Sequence, residues 1–335
     1  MKAAIFDGKE LLIKEVAKPK ITEDEVLIGV KAAGICGTDI AIVNGHLLTP
    51  TPLILGHEFT GEIEEVGKNV DQSWLGKRVT SEINSNIDFN CYYCNRKLYS
   101  QCISRKALGL DIDGAFAEYI AVGAYLLHEI PENISFEAGT FIEPLAAAFQ
   151  VFELMSLDKN DNIIAIFGLG KLGLLITQVV LSMGLKLIVV DGSDKKLALA
   201  KKFGAQYQIN RTNCKVPSNK IKDITNGLGA DIVIDATGNP EAVKNVINSC
   251  RTLGKVHIKS THGLNTPVNL TDIVVREITL YSSRCGPFEK AIEGLKSIKI
   301  SVKDMISKEF NLEDINEAFV SCKKDSDHIK TIIRI

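Results

Sequence analysis

The sequence predicts an α/β protein of two domains, one β-rich and the other a doubly wound domain built on a parallel sheet. Three observations predict it. The chain has 335 residues, more than one core of ordinary size needs and enough for two domains of about 150 residues each. Its first part is a series of short β-rich runs bounded by Gly or Asp, among them EVLIGVKAA, GEIEEVG and GAFAEYIAV. From Phe141 onward apolar strands alternate with helical segments, the order expected of βαβ units.

Taken along the chain, MKAAIFDGKELLIKE carries Asp7, Lys9 and Glu10 where a signal peptide needs an apolar core, so it reads as a first strand. No helix of convincing period is expected before Phe136. IEPLAAAFQVFELM is Ala-rich with helical spacing, and NIIAIFG, LKLIVVD, ADIVIDATG, GKVHIKS and ITLYSS are strand candidates. EKAIEGLKSI reads as a last helix and IKTIIRI as a closing strand. A β-rich domain of residues 1–144 and 286–335 is therefore expected to wrap around a domain of βαβ units, residues 145–285.

With 45% hydrophobic and 24% charged residues the chain has the composition of a folded protein and not of a disordered one. A net charge of -2 gives no electrostatic reason to expect nucleic acid or an anionic membrane as partner. The most apolar stretch, 163–187, is interrupted by Lys171 and Gln178 and is too broken for a membrane span. A cytoplasmic location is expected. There, eight cysteines are better explained as metal ligands and small core residues than as four disulfides.

Gly168-Leu169-Gly170-Lys171-Leu172-Gly173 follows an apolar strand and opens a helical run, the G-x-G-x-x-G fingerprint in its strand–turn–helix setting. The glycines permit the tight turn, the approach of backbone to a pyrophosphate, and close packing of helix on strand. Asp191 ends the next strand, where a carboxylate accepts from the adenosine ribose hydroxyls and repels a 2′-phosphate. NAD is thus expected, with Lys196 a candidate second ribose contact; Ser193 and Lys195 leave NADP possible.

Two further segments carry metal chemistry, GICGTD (34–39) and GHEFTG (56–61). Alone, Cys36 reads as a small core residue and His57 as a satisfied core histidine. Beside a dinucleotide site they become candidates for an open zinc site of thiolate, imidazole and carboxylate. Cys91, Cys94 and Cys102 form a second cluster, C-x₂-C-x₇-C, while Cys214, Cys250, Cys285 and Cys322 show no ligand spacing.

On GICGTD, the GHE run with Gly61 and Gly67, Glu143-Pro144-Leu145, GLGKLG with Asp191, and SSRCGPF, the chain resembles the zinc-containing medium-chain dehydrogenases over essentially its whole length. This is the family of alcohol, sorbitol, glucose and threonine dehydrogenases. The resemblance implies a GroES-like catalytic domain and a Rossmann domain. It implies that Cys36 and His57 bind catalytic zinc, with Glu143 as third ligand and Glu58 beside the metal, and leaves open which carboxylate coordinates. Thr38 matches the hydroxyl that passes the alcohol proton toward the nicotinamide ribose. Zinc then lowers the pKa of a bound alcohol, from whose carbon hydride departs.

Ala41 stands where some members carry a relay histidine, which excludes that side chain; water, with His46 nearby, is the suggested substitute. Asp88 falls at the missing first position of the family's four-cysteine lobe, so a structural zinc on Asp88, Cys91, Cys94 and Cys102 is expected, with a metal-free lobe of three reduced thiols as the alternative. Ser283 and Cys285 align with the backbone that holds the nicotinamide carboxamide. Lys259, at a strand end, could lie near the nicotinamide, but a lysine there is usually solvated and no role is assigned to it. The expected substrate is a small secondary alcohol, polyol or sugar, with threonine or a simple alcohol as the alternative. A homodimer or homotetramer, paired through the strand at 278–282, is implied by analogy. A zinc-free quinone or enoyl reductase, and a noncatalytic nucleotide-binding protein of the same fold, are the competing readings; the retained ligand set argues against both.

Overall fold

The computed structural model describes residues 1–297 and 299–335, Lys324 by its backbone alone. It divides into two units, Met1–Glu143 with Met305–Asp325 and Lys330–Ile335, and Pro144–Asp304 with Ser326–Ile329.

The first unit is organised by the strand Glu25–Gly34, nearly all of which is buried, as its apolar run EVLIGV requires. It pairs antiparallel with three strands, Glu58–Val66, Tyr119–Gly123 and Lys330–Arg334. The sheet is completed by Leu127–Glu129, Arg78–Ser81 and Ile306–Asn311, giving seven strands. Val26, Ile28, Val30, Phe59, Ile63 and Ile120 pack into one core with Phe116 and Phe319. Register has a chemical consequence at the end of the central strand. Gly34 stands opposite Glu58 on one side and Ile332 on the other, so a chain that leaves the strand at Ile35 runs between residues 57–58 and the closing strand. A Cβ at residue 34 would collide with the Lys330 ammonium, which is the physical reason the GICGTD segment opens on glycine.

One element here was not expected. A helix at Gly37–Val43 follows Cys36, and at seven residues it is too short to show a period in the sequence. Its start is held by the Asp39 carboxylate, which accepts the Cys36 N–H at 2.8 Å.

The second unit holds a six-stranded parallel sheet in the order Tyr207–Asn210, Lys186–Asp191, Ile163–Phe167, Ala230–Asp235, Cys250–Ile258, Thr279–Ser282. The strand Tyr207–Asn210 was not anticipated, because it is short and only Ile209 in it is fully buried. The chain starts in the middle of the sheet, winds outward to one side and then to the other, so the order reverses between Ile163–Phe167 and Ala230–Asp235. Ligands of such sheets bind outside the carboxyl ends of the strands at that reversal.

The expected boundary at residue 286 moves. The helix Phe288–Lys296 belongs to the second unit, because its apolar face of Phe288, Ala291 and Leu295 is buried there. Lys290 pairs with Glu153 at 2.5 Å, and Gly294 lies against the Phe149 ring. Among the described residues no helix is long and apolar enough to cross a membrane.

Candidate metal and dinucleotide sites

Three donors from two segments of the first unit meet at the end of its central strand. Cys36, His57 and Glu58 each offer a ligand atom within 4.8 Å of the others. The set mixes sulfur, nitrogen and oxygen, and the thiol is only partly buried, so it has the composition of an open zinc site and not of a closed structural one.

Behind the donors stands Asp39, fully buried. While one of its oxygens accepts the Cys36 N–H, the other lies 3.4 Å from His57 Nδ1. Neither of those two facing atoms has a hydrogen-bonded partner among the described residues. A ring whose Nδ1 faces a carboxylate offers Nε2 as the metal donor, the arrangement by which a carboxylate orients a ligating histidine. Burial pushes the His57 imidazole down, but the Asp39 carboxylate and the Cys36 sulfur outweigh it and hold the ring well above its usual range. The pocket therefore gathers positive charge. With sulfur, nitrogen and oxygen donors within 4.8 Å of one another and the facing Asp39 and His57 atoms otherwise unsatisfied, the residues fit zinc.

Glu58 is held from the far side. The Lys330 ammonium, itself fully buried, pairs with Glu58 Oε2, donates to the Thr140 carbonyl at 3.1 Å and lies 4.7 Å over the Phe141 ring. Asp39 and Lys330 are the residues missed by reasoning from sequence. Asp39 had a signal, an acid three residues after Cys36 where a helix could be capped; Lys330, inside IKTIIRI, had none. Of the two carboxylates the resemblance offered, Glu58 is brought to Cys36 and His57. Glu143, half-buried at the start of the helix Ile142–Glu153, is not in that group of mutually close donors. The Thr38 hydroxyl is 3.7 Å from the Cys36 sulfur, and His46 is exposed on the loop beyond the helix.

The second cluster brings together Asp88, Cys91, Cys94 and Cys102, again with donors within 4.8 Å of one another. One Asp88 oxygen accepts the N–H groups of Asn90 and Cys91, both at 2.9 Å, and the other accepts from the Ser104 hydroxyl at 3.0 Å. Those backbone donors hold the carboxyl well below the usual carboxylate range. The Cys91 and Cys94 sulfurs are 3.5 Å apart. Burial, helped by the neighbouring thiols and Asp88, pushes the Cys94 thiol up to about 12. An ionised carboxylate beside three thiols, with donor atoms within 4.8 Å of one another, is a set that fits a cation.

In the second unit a cleft of about 300 Å³ opens at the sheet's order reversal, lined by Gly168, Asp191, Arg211, Lys215, Thr237 and Asn239 among others. Gly168 has φ +88, in the left-handed region, and a Cβ on Gly173 would collide with the Gly168 carbonyl. Gly170 caps the helix Lys171–Ser182, and nothing lies within 4 Å of where its Cβ would be. That open approach to a helix N-terminus, which Lys171 and Leu172 begin, fits a pyrophosphate. Asp191 accepts from Leu169 N–H at 2.6 Å and from Ser193 N–H at 2.9 Å, tying the glycine turn to the next loop. Lys196, whose N–H bonds the Ser193 hydroxyl, is not among the residues lining the cleft, whereas Arg211 and Lys215 are. Arg211 follows the unanticipated strand, which is why it was missed.

Ser283 and Cys285 lie in the turn after Thr279–Ser282, and Cys285 has φ +56. Lys259, expected to be solvated, is 7% exposed and donates to the Ser283 carbonyl at 2.8 Å and to its hydroxyl at 3.0 Å.

Comparison with known proteins agrees with this chemistry. Residues 22–132 match the alcohol dehydrogenase GroES-like domain and residues 172–299 the zinc-binding dehydrogenase domain. The chain is 34% identical over 314 residues to a D-arabitol-phosphate dehydrogenase of Enterococcus avium, covering 91% of this chain and 88% of the relative. It is 33% identical over 328 residues to a sorbitol dehydrogenase of Bacillus subtilis, covering 95% and 92%. An alcohol dehydrogenase of Escherichia coli CFT073, solved with NADH, superposes with a TM-score of 0.90 at 28% identity, over 100% of this chain and 99% of that one. The parallel sheet and the β-rich unit are thus the Rossmann and GroES-like domains that the sequence implied, and the chain belongs to the zinc-binding alcohol and polyol dehydrogenase family.

Proposed function

We propose that this chain interconverts a small secondary alcohol, a polyol or sugar by preference, and the corresponding ketone, with NAD(H) as hydride carrier and one zinc held by Cys36, His57 and Glu58. The observation that carries the reading is the meeting of sulfur, imidazole and carboxylate with Asp39 behind the imidazole. When bound, zinc supplies a Lewis acid that makes an alcohol acidic, and the dinucleotide supplies the hydride acceptor. Everything else is done by side chains and backbone. Asp39 orients His57 and tethers Cys36 through its N–H. Thr38, beside the Cys36 sulfur, receives the substrate's hydroxyl proton; with Ala41 in the relay position, water carries it onward.

In the second unit the Gly168–Gly173 turn admits the pyrophosphate, and Asp191 accepts from the ribose hydroxyls, which favours NAD. Arg211 and Lys215 beside it supply the charge that would tolerate a 2′-phosphate. Asp88, Cys91, Cys94 and Cys102 hold a second, structural zinc. The polyol preference is supported by the names of the relatives. We further propose a cytoplasmic homodimer or homotetramer, paired through Thr279–Ser282, an edge strand with exposed Leu280 beside exposed Val274 and Val275.

Zinc analysis of the purified protein, together with NADH formation over a panel of polyols, sugars, simple alcohols and threonine, tests this. About two zinc per chain is expected, with NADH formed fastest from a polyol or sugar. Zinc and NAD bound but no hydride transferred to or from any member of the panel would leave a noncatalytic protein of this fold.

A further inference from the structure

Lys259 has no part in the chemistry above. It follows the last residue of Cys250–Ile258 and so stands at the carboxyl edge of the sheet, across the order reversal from Asp191. A dinucleotide spans such a reversal with one nucleotide over each half. With Asp191 on the adenosine half, Cys250–Ile258 and Thr279–Ser282 mark the nicotinamide half.

Lysines at strand ends are ordinarily solvated, and burying one is costly. This one is drawn inward. Its backbone N–H donates to the Asp235 carbonyl at 2.9 Å, and its ammonium grips both the carbonyl and the hydroxyl of Ser283. A hydroxyl oxygen that accepts from the ammonium keeps its own proton for His257 Nε2, 3.2 Å away. Burial first, and the Lys259 charge second, push that imidazole down to about 4, so the ring is neutral and able to accept. Two residues beyond Ser283 the backbone turns left-handed at Cys285, and Gly286 packs so closely on the Ala146 carbonyl that a Cβ there would collide. The turn 283–286 is pinned at both ends, with a cation at its base.

We propose that Lys259 is a positioning residue for the nicotinamide end of the site: it holds the 283–285 backbone in shape and places there a fixed positive charge that disfavours the oxidised, cationic ring relative to the reduced, neutral one. The inference rests on the dinucleotide reading above and deepens it. Lysine at this position biases the enzyme toward holding NADH.

Dissociation constants for NADH, by fluorescence titration, and for NAD, by competition, test it without reference to turnover. The unmodified protein is expected to bind NADH more tightly than NAD. Lys259→Gln, which keeps a donor and loses the charge, is expected to lower the NAD-to-NADH ratio of dissociation constants by about fivefold or more, the size of effect a poorly screened unit charge exerts. Lys259→Arg should keep the original ratio. An unchanged ratio in Lys259→Gln, or parallel weakening of both cofactors, overturns the inference, because a lysine of purely structural use does only that. Unmodified protein that binds NAD at least as tightly as NADH overturns it without any variant. Unmodified protein that binds neither removes the dinucleotide reading itself, and this inference with it.

Discussion

The two donor clusters of the first unit are built in opposite ways. Asp88, Cys91, Cys94 and Cys102 lie within fifteen consecutive residues (88 to 102), and the turn that gathers them is closed by their own neighbours: Asn90 and Cys91 donate to Asp88, and the Asp88 N–H points to the Cys102 sulfur at 3.5 Å. Cys36, His57 and Glu58 come from two separate segments, and the groups that orient them, Asp39 and Lys330, come from a helix start and from the closing strand. A locally closed cluster uses its donors to fix a loop. A cluster assembled across a sheet is held from behind and keeps its front for a substrate.

The sharpest way to separate the two is to remove a donor from the open one. Cys36→Ala is expected to lower kcat/KM on the order of a thousandfold, since Lewis-acid assistance is worth several kcal/mol, and to lower zinc content by one atom per chain while the lobe stays filled. A Cys36→Ala protein that turns over normally would assign the chemistry elsewhere.

Support from behind is the next contrast. In zinc-free protein, Lys330→Met strands the Glu58 carboxylate, 0% exposed, and is expected to reduce unfolding free energy by about 3–5 kcal/mol in urea titration. Adding Glu58→Gln should recover most of the loss, because the stranded charge is then gone. If the single variant unfolds like the parent, the pair contributes nothing and the contrast weakens.

Asp39→Asn keeps the shape but removes the charge facing His57. Zinc affinity of the open site, read by competition with a chromophoric chelator, is expected to fall about 10–100-fold, with the lobe's zinc unaffected. The smallest effect belongs to the lobe. Asp88→Ala should lower the unfolding midpoint by roughly 2–4 °C and release one zinc, with kcat/KM within about twofold of the parent. Activity lost in step with that zinc would show that the two clusters are not separate in function.

How much of this was legible in the sequence follows the same division. The lobe's four residues group by their local spacing, and their donor atoms lie within 4.8 Å of one another. In the glycine turn before Asp191, Gly168 and Gly173 each stand where a Cβ would meet neighbouring backbone, while Gly170 leaves the helix N-terminus open. The sequence leaves open which of Glu58 and Glu143 coordinates, because nothing local distinguishes two carboxylates each next to a plausible motif; in the folded chain Glu58 is the one gathered with Cys36 and His57. Lys259 was expected in water because strand-end lysines usually are; what draws it in is Ser283, a residue on the next strand's exit. The helix Phe288–Lys296 was assigned to the wrong unit because an amphipathic face states that it will be buried but not against what.

From its residues alone the chain determined its two-domain α/β plan, its dinucleotide turn and the kinds of donor at its metal sites, since these depend on composition, period and short spacing. Which carboxylate meets Cys36 and His57, the buried pairing of Lys330, and the inward turn of Lys259 were decided only by strand register and packing. Those contacts join residues as far apart as 58 and 330, and no local pattern encodes a partnership that exists only once the sheet has closed.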